Sequence, residues 1–346
     1  MRASTARLTN SPVRLADLQF PQVSRLIHRT RLAFIHLDNL LAYAKRDRDG
    51  RIDGYLAAHL PDECLLVFFR KGEAVNAASL HAAGRQVVTI TEALKRMRAE
   101  VERSDLTYCA APMEQLAWMY ASCAGGYEPR NIDVNRPEKF FPLLQQEKIS
   151  GVLELISNGR VSYLKFDQGK YLSGHFCDKP DNVQPARYLE SLFDAAPDAA
   201  GGAAGGGGAP AMSAGTFPAG DDLPAQAATA LVNTYRELYW RIVDAVEREF
   251  PGEAKRRAQK VMTAIVDTHQ ALALLSVPRG TDTPDAVVRP EELATALTDW
   301  ALQLLEGAEV MMPGTAPKVL KDATREHRYV LQAAGFYGRL PWRVTW

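Results

Sequence analysis

Gly54-Tyr55-Leu56 and Gly151-Val152-Leu153 stand 97 residues apart, and Phe69-Arg70-Lys71-Gly72 stands at the same offset from Phe166-Asp167-Gln168-Gly169. No gap is needed from Gly54 to Ser79 or from Gly151 to Phe176. Apolar positions correspond as well, with Val67 matching Leu164 and Val75 matching Leu172. Shared turn glycines and shared alternation imply two copies of one structural unit.

Working outward, Leu32 to Lys45 has helical periodicity, and Asp47-Arg48-Asp49-Gly50 breaks it. Strands are expected at Tyr55–His59, Cys64–Arg70 and Ala74–Ser79, with turns at 60–63 and 71–73. Thr91–Glu102 reads as an amphipathic helix with Thr91 as its cap. A strand at Leu106–Ala110 and a helix at Met113–Ser122 complete a first module, residues 32–122. The second, 123–197, repeats the plan, with short helices at Lys139–Gln146 and Arg187–Phe193. Its Asn158-Gly159 pair lies between apolar runs, a strong hairpin signal because both residues accept positive φ. No counterpart of the Leu106–Ala110 strand is visible, so the second copy reads as shortened. The expected class is therefore α+β, with two small meander modules in tandem.

Residues 198–225 are rich in Ala, Gly and Pro and include Gly205-Gly206-Gly207-Gly208. Such a stretch buries too little apolar surface to offset its ordering entropy, so a flexible linker is expected. Beyond it, residues 226–346 carry apolar stripes at helical spacing: Leu231, Tyr235, Leu238, Ile242 and Val246, then Val261, Ile265, Leu272 and Leu275, then Leu293, Leu297, Trp300 and Leu304, then Leu320, Ala323 and Val330. Four such helices are satisfied as an antiparallel bundle. Residues 1–31 carry Arg2, Arg7, Arg14, Arg25, Arg29 and Arg31 against Asp17 and are expected to form a basic, partly disordered arm.

The two segments Leu65–Ala77 and Leu164–Leu172 resemble the PATAN domain of bacterial signalling proteins. Its pattern is Gly-x-Leu, an apolar strand ending in Phe, a Gly turn and a strand ending in Ala. The second copy departs from the pattern at Gly174-His175. The resemblance implies a regulatory protein acting through protein–protein interaction, with partners among two-component or related regulatory proteins. It brings no catalytic or cofactor-binding residue.

Composition agrees with a binding protein. Lys plus Arg and Asp plus Glu each total 41, which argues against a dedicated nucleic-acid binder. The four scattered cysteines and the absence of a signal-peptide pattern point to a cytoplasmic setting, and no apolar run is long enough to span a membrane. No nucleophile elbow or phosphate loop is present, so neither catalysis nor a cofactor is expected. His175 and Cys177 share one strand face without a second ligand pair, and a structural role is expected of them. Lys255-Arg256-Arg257 with Lys260 reads as a solvated basic face, and the aromatic tail from Phe336 to Trp346 as bundle packing. Two alternatives stand beside the adaptor reading. One is a phosphorelay component with His269 as phosphoacceptor; the other is a small-ligand sensor with a pocket between modules.

Overall fold

The computed structural model describes residues 15–46, 51–82, 84–130, 139–180, 182–194, 212–282, 286–333 and 335–346. The chain divides into two compact units, Met1–Pro224 and Ala225–Trp346.

The first unit contains two antiparallel sheets. One has six strands: β1 (Ser24–Arg31), β2 (Gly54–His59), β3 (Glu63–Arg70), β4 (Glu73–His81), β5 (Gly84–Val88) and β6 (Asp105–Ala110), in the order β1-β6-β2-β3-β4-β5. Helices α1 (Leu37–Arg46) and α2 (Ile90–Ala99) accompany one face, where Leu65, Val67 and Phe69 of β3 join Leu37, Ala93 and Met97 in a core. Helix α3 (Met113–Ala124) takes the other, where Leu66 and Phe68 meet Trp118. Burial on both faces explains why β2 and β3 read as nearly continuous apolar runs. Thr89, not Thr91, caps α2, accepting from the Glu92 amide at 3.1 Å.

The second sheet comprises β7 (Glu128–Arg130), β8 (Gly151–Ser157), β9 (Arg160–Asp167), β10 (Lys170–Phe176) and β11 (Met212–Phe217), ordered β10-β9-β8-β11-β7, with helices α4 (Phe140–Gln146) and α5 (Pro185–Asp194). The orders of the two sheets match strand for strand, β7 to β1, β11 to β6, β8 to β2, β9 to β3 and β10 to β4. Only β5 has no equivalent among the described residues.

The duplication extends to single hydrogen bonds. Lys71 and Gly72 take φ of 50° and 77°; Gln168 and Gly169 take 48° and 76°. The Gly72 amide donates to Ile52 O at 2.8 Å and that of Gly169 to Ile149 O at 2.7 Å. The Lys71 amide donates to Asp53 Oδ1 and the Gln168 amide to Ser150 Oγ, both at 2.8 Å. Each partner is again displaced by 97. Both copies carry a one-residue bulge, skipping Val75 in β4 and Leu172 in β10.

Three expectations are corrected. The Leu106–Ala110 strand does have a counterpart in the second copy, because β11 fills the place of β6, pairing with β8 from Met212↔Ser157 to Phe217↔Val152. The expected linker is accordingly too long. Residues 198–211 lie outside the described residues, but 212–217 form an interior strand. Its continuation is anchored as well: Leu223 is buried, Lys165 Nζ lies 2.5 Å from Asp221 Oδ1, and Arg70 donates to Asp222 and to Leu223 O. The basic arm is in part a strand, since Ser24–Arg31 pairs with β6; residues 1–14 lie outside the described residues. The two copies also share one core, in which Tyr55, Leu66 and Phe68 of the first meet Val152, Ile156, Tyr163 and Phe217 of the second.

Among its described residues the second unit is helical: α6 (Thr229–Glu249), α7 (Ala254–Ile265), α8 (Leu272–Leu275), α9 (Pro290–Met311), α10 (Thr315–Thr324) and α11 (Arg328–Ala333). Two expected helices are interrupted. Residues 266–271 separate α7 from α8, and a 3-10 turn at Arg325–His327 precedes α11 and leaves Val330 48% exposed. A second repeat appears here. Glu247 accepts from the amides of Gly252 and Ala254 at 2.5 and 3.1 Å, and Glu309 from those of Gly314 and Ala316 at 2.6 and 2.8 Å. All three positions are offset by 62. Pro-Gly precedes the buried alanine in both turns, so α6–α7 and α9–α10 are two versions of one helical hairpin. The aromatic tail packs as expected, with Phe336 fully buried and Tyr337 and Trp342 against the core.

Candidate functional site

The two copies meet at a buried ion pair. Arg85 of β5 donates from Nη2 and Nη1 to the two Glu154 carboxylate oxygens of β8 at 2.5 and 2.8 Å, with both side chains at most 3% exposed. The Tyr127 hydroxyl donates to the same carboxylate at 3.2 Å, and its ring lies 4.4 Å from the guanidinium. Burial and the Glu154 charge push the Tyr127 phenol well above its ordinary range, so it stays a donor. Such a fork-to-fork pair fixes geometry, and both groups are nearly sealed from solvent.

A second polar cluster joins α3 to the second sheet. His175 Nε2 lies 3.3 Å from Glu114 Oε2, and the His175 ring is 5.0 Å from that of Trp118. Burial holds the imidazole pKa down, against the raising effect of Glu114. Cys177, two residues on, is buried, and its thiol is pushed up to about 12 by desolvation. His175 is thus held between Glu114 and Trp118, and Cys177 lies in the interior. Among the described residues no group of three or more His, Cys, Asp or Glu is placed to hold a metal ion.

An accessible concavity lies within the second copy. A cleft of about 500 Å³ opens between α4, α5 and the β9–β10 turn, walled by Phe141, Pro142, Phe166, Tyr171, Pro185 and Leu189. Its size and apolar walls suit a ligand or a bound side chain. Sequence explains why it opens here. Phe141, Pro142, Lys170 and Tyr171 replace Ala44, Lys45, Glu73 and Ala74 of the first copy. In the first copy, the ten-residue α1 also brings Leu37, Leu40 and Leu41 onto the sheet, whereas α4 has seven residues. Beside the cleft, β10 ends its sheet and presents Tyr171 and Leu172, 36% and 52% exposed.

His269 occupies the turn between α7 and α8. Its amide donates to Ile265 O at 2.9 Å and its Nε2 lies 3.0 Å from Asp299 Oδ2 on α9, with the side chain 19% exposed. It thus stands off any helix face, with the far ring nitrogen against a carboxylate. Arg256 and Arg257 of the expected basic face both pair with Glu253. The cleft escaped sequence reasoning because its walls are ordinary core-type residues; the available signal was the exchange of Glu73 and Ala74 for Lys170 and Tyr171.

No family model and no curated protein matches the chain. Among solved structures, the chain is similar to the DNA polymerase III subunit beta from Pseudomonas aeruginosa, at 13% identity and a TM-score of 0.14, over 57% of this chain and 66% of that one. It is also similar to the DNA polymerase III beta chain from Streptococcus pneumoniae TIGR4, at 10% identity and 0.13, over 56% and 64%. The chain thus spans less than two thirds of either protein, and likenesses this slight carry no argument about fold or function. Among the described residues no helix is long and apolar enough to cross a membrane.

Proposed function

We propose that the protein is a non-catalytic regulatory adaptor that recognises other proteins, as its resemblance to PATAN-type signalling domains implies. The observation that carries this reading is the open edge of β10. In the first copy the equivalent strand, β4, is covered by β5; among the described residues β10 pairs only with β9. An open edge next to an apolar cleft supports strand addition, in which backbone hydrogen bonds supply affinity and pockets for alternate side chains supply selectivity. On this reading the first copy is the scaffold, locked to the second through Arg85 and Glu154, and the partner is a cytoplasmic two-component or related regulatory protein.

The test uses the full-length protein as bait in its native host, alongside Tyr171→Asp and Leu172→Asp. Both side chains are exposed, so the fold should persist by circular dichroism. A regulatory protein retained by the wild type and lost with both variants is the expected outcome. A partner set indifferent to both substitutions counts against the β10 edge.

A further inference from the structure

The cleft has a chemistry of its own, separate from the backbone edge beside it. Its floor is fixed, because Phe166 and Leu189 belong to the buried core of the second copy, at 5% and 7% exposure. Its rim is not closed. The Tyr171 ring stands edge-on to Phe166 at 6.0 Å and remains 36% exposed. The apolar surface left open to water is therefore at the Tyr171 rim, and it is surface that a bound apolar body would cover, at roughly 25 cal/mol for each Å².

Charge at the rim is uneven. Lys170 on the turn and Glu190 on α5 both line the cleft and both are exposed. Neither has an ion-pair partner among the described residues. The ammonium therefore draws an anionic group to the turn side, and the carboxylate repels it from α5. Gln145 supplies an uncharged amide on the α4 wall. The first copy is an internal control: Ala44, Lys45, Glu73 and Ala74 stand where the cleft has Phe141, Pro142, Lys170 and Tyr171, so the aromatic walls are missing and the charge at the turn is reversed.

We propose that this cleft binds a small amphipathic anion, with an apolar, aromatic-sized body between Phe141, Phe166 and Leu189 and a carboxylate or sulfonate at Lys170. The site lies wholly within the second copy, and occupancy makes the protein responsive to a small molecule in addition to any protein partner. Failure of the test below would leave the β10 reading standing, since that reading rests on the strand edge.

Two fluorescent probes with the same body separate the two halves of the proposal: anilinonaphthalene sulfonate, which is anionic, and phenylnaphthylamine, which is neutral. Titrated into the full-length protein, both should bind saturably at one site. The sulfonate should bind about three- to fivefold more tightly, the strength of one exposed ion pair. Lys170→Gln should abolish that preference and leave the neutral probe unchanged. Ala186→Trp, at an exposed position on the α5 wall, should fill the cleft and abolish binding of both probes with the melting temperature maintained. Gln145→Trp fills it from the α4 wall and keeps the test decisive if the first filler disturbs α5. No saturable binding, or binding of both probes that survives the folded filler variants, overturns the site. A sulfonate preference that survives Lys170→Gln overturns the assignment of the anionic end.

Discussion

Arg85 and Glu154 join the two copies beside the apolar core that they share. Each is supplied by a strand of a different sheet, and each is nearly sealed from water. Glu154→Leu leaves a buried guanidinium without its counter-charge and is expected to cost about 3–5 kcal/mol in urea denaturation. Arg85→Met combined with Glu154→Leu removes both charges and should recover most of that loss, because a buried pair gains little over well-packed apolar groups. Equal destabilisation by the single and double variants would mean that the pair's geometry is not what holds the copies together. None of this is visible in the sequence. Glu154 stands where the first copy has Ala57, and Arg85 lies in a five-residue strand, Gly-Arg-Gln-Val-Val, whose polar residues obscure its pattern. Nothing at residue level says that two charges 69 positions apart are partners.

At the scale of elements, the paired turns were the legible part. Gly72 and Gly169 take positive φ, and a Cβ on Gly72 would strike the Ala44 carbonyl while one on Gly169 would lie 2.6 Å from Gln145 Cα. Gly72→Ala is therefore expected to cost about 2–4 kcal/mol, from a strained backbone and a steric clash together. Gly169→Ala should behave alike; a cost under 1 kcal/mol at either, measured by denaturation, would contradict the shared turn geometry. The strand that eluded reading, β11, has the sequence Met-Ser-Ala-Gly-Thr-Phe and merges with the low-complexity run before it. Its small residues have a packing cause, because a Cβ on Gly215 would collide with the Tyr127 ring. The helical hairpins carried a readable signal as well, glutamate five residues before glycine and seven before alanine, twice. The backbone amides of Gly314 and Ala316 hold the Glu309 carboxyl below its ordinary value of 4.5. A lowered folded-state pKa gives stability that is present above the ordinary value and lost as pH falls through the lowered one. Glu309→Gln should therefore flatten the acid side of the thermal stability profile below pH 4.5. An unchanged acid slope would show that the cap contributes nothing.

For the whole molecule, the decisive question is where the first unit ends. The low-complexity run suggests a boundary near residue 197, yet β11 lies between β8 and β7 in the interior of the second sheet. A fragment ending at residue 197 lacks that strand and leaves the β8 edge unpaired. It should aggregate or show exchange-labile amides across β8, whereas a fragment ending at Pro224 should fold cooperatively. A well-folded 197-residue fragment would refute the placement of β11 between β8 and β7. The helical unit, Ala225–Trp346, has its own core around Trp300, Leu297 and Ile242 and should fold when produced alone. The α+β class and the duplication were thus legible because turns and alternation are local properties. The fusion of the copies was not, because it depends on side chains that meet only in the folded state.

The late position of β11 also sets a timetable. On the ribosome the N-terminal part of a chain emerges first, and Ser157 precedes its partner Met212 by about 55 residues. At roughly 5–20 residues per second, the β8 edge waits on the order of 3–11 s for its neighbour. During that interval the nascent protein displays an unpaired strand beside incomplete apolar faces, the arrangement that nucleates intermolecular pairing. Yield should therefore depend on how that interval is managed, rising with faster elongation or with a chaperone bound to β8, more than on the stability of the finished fold.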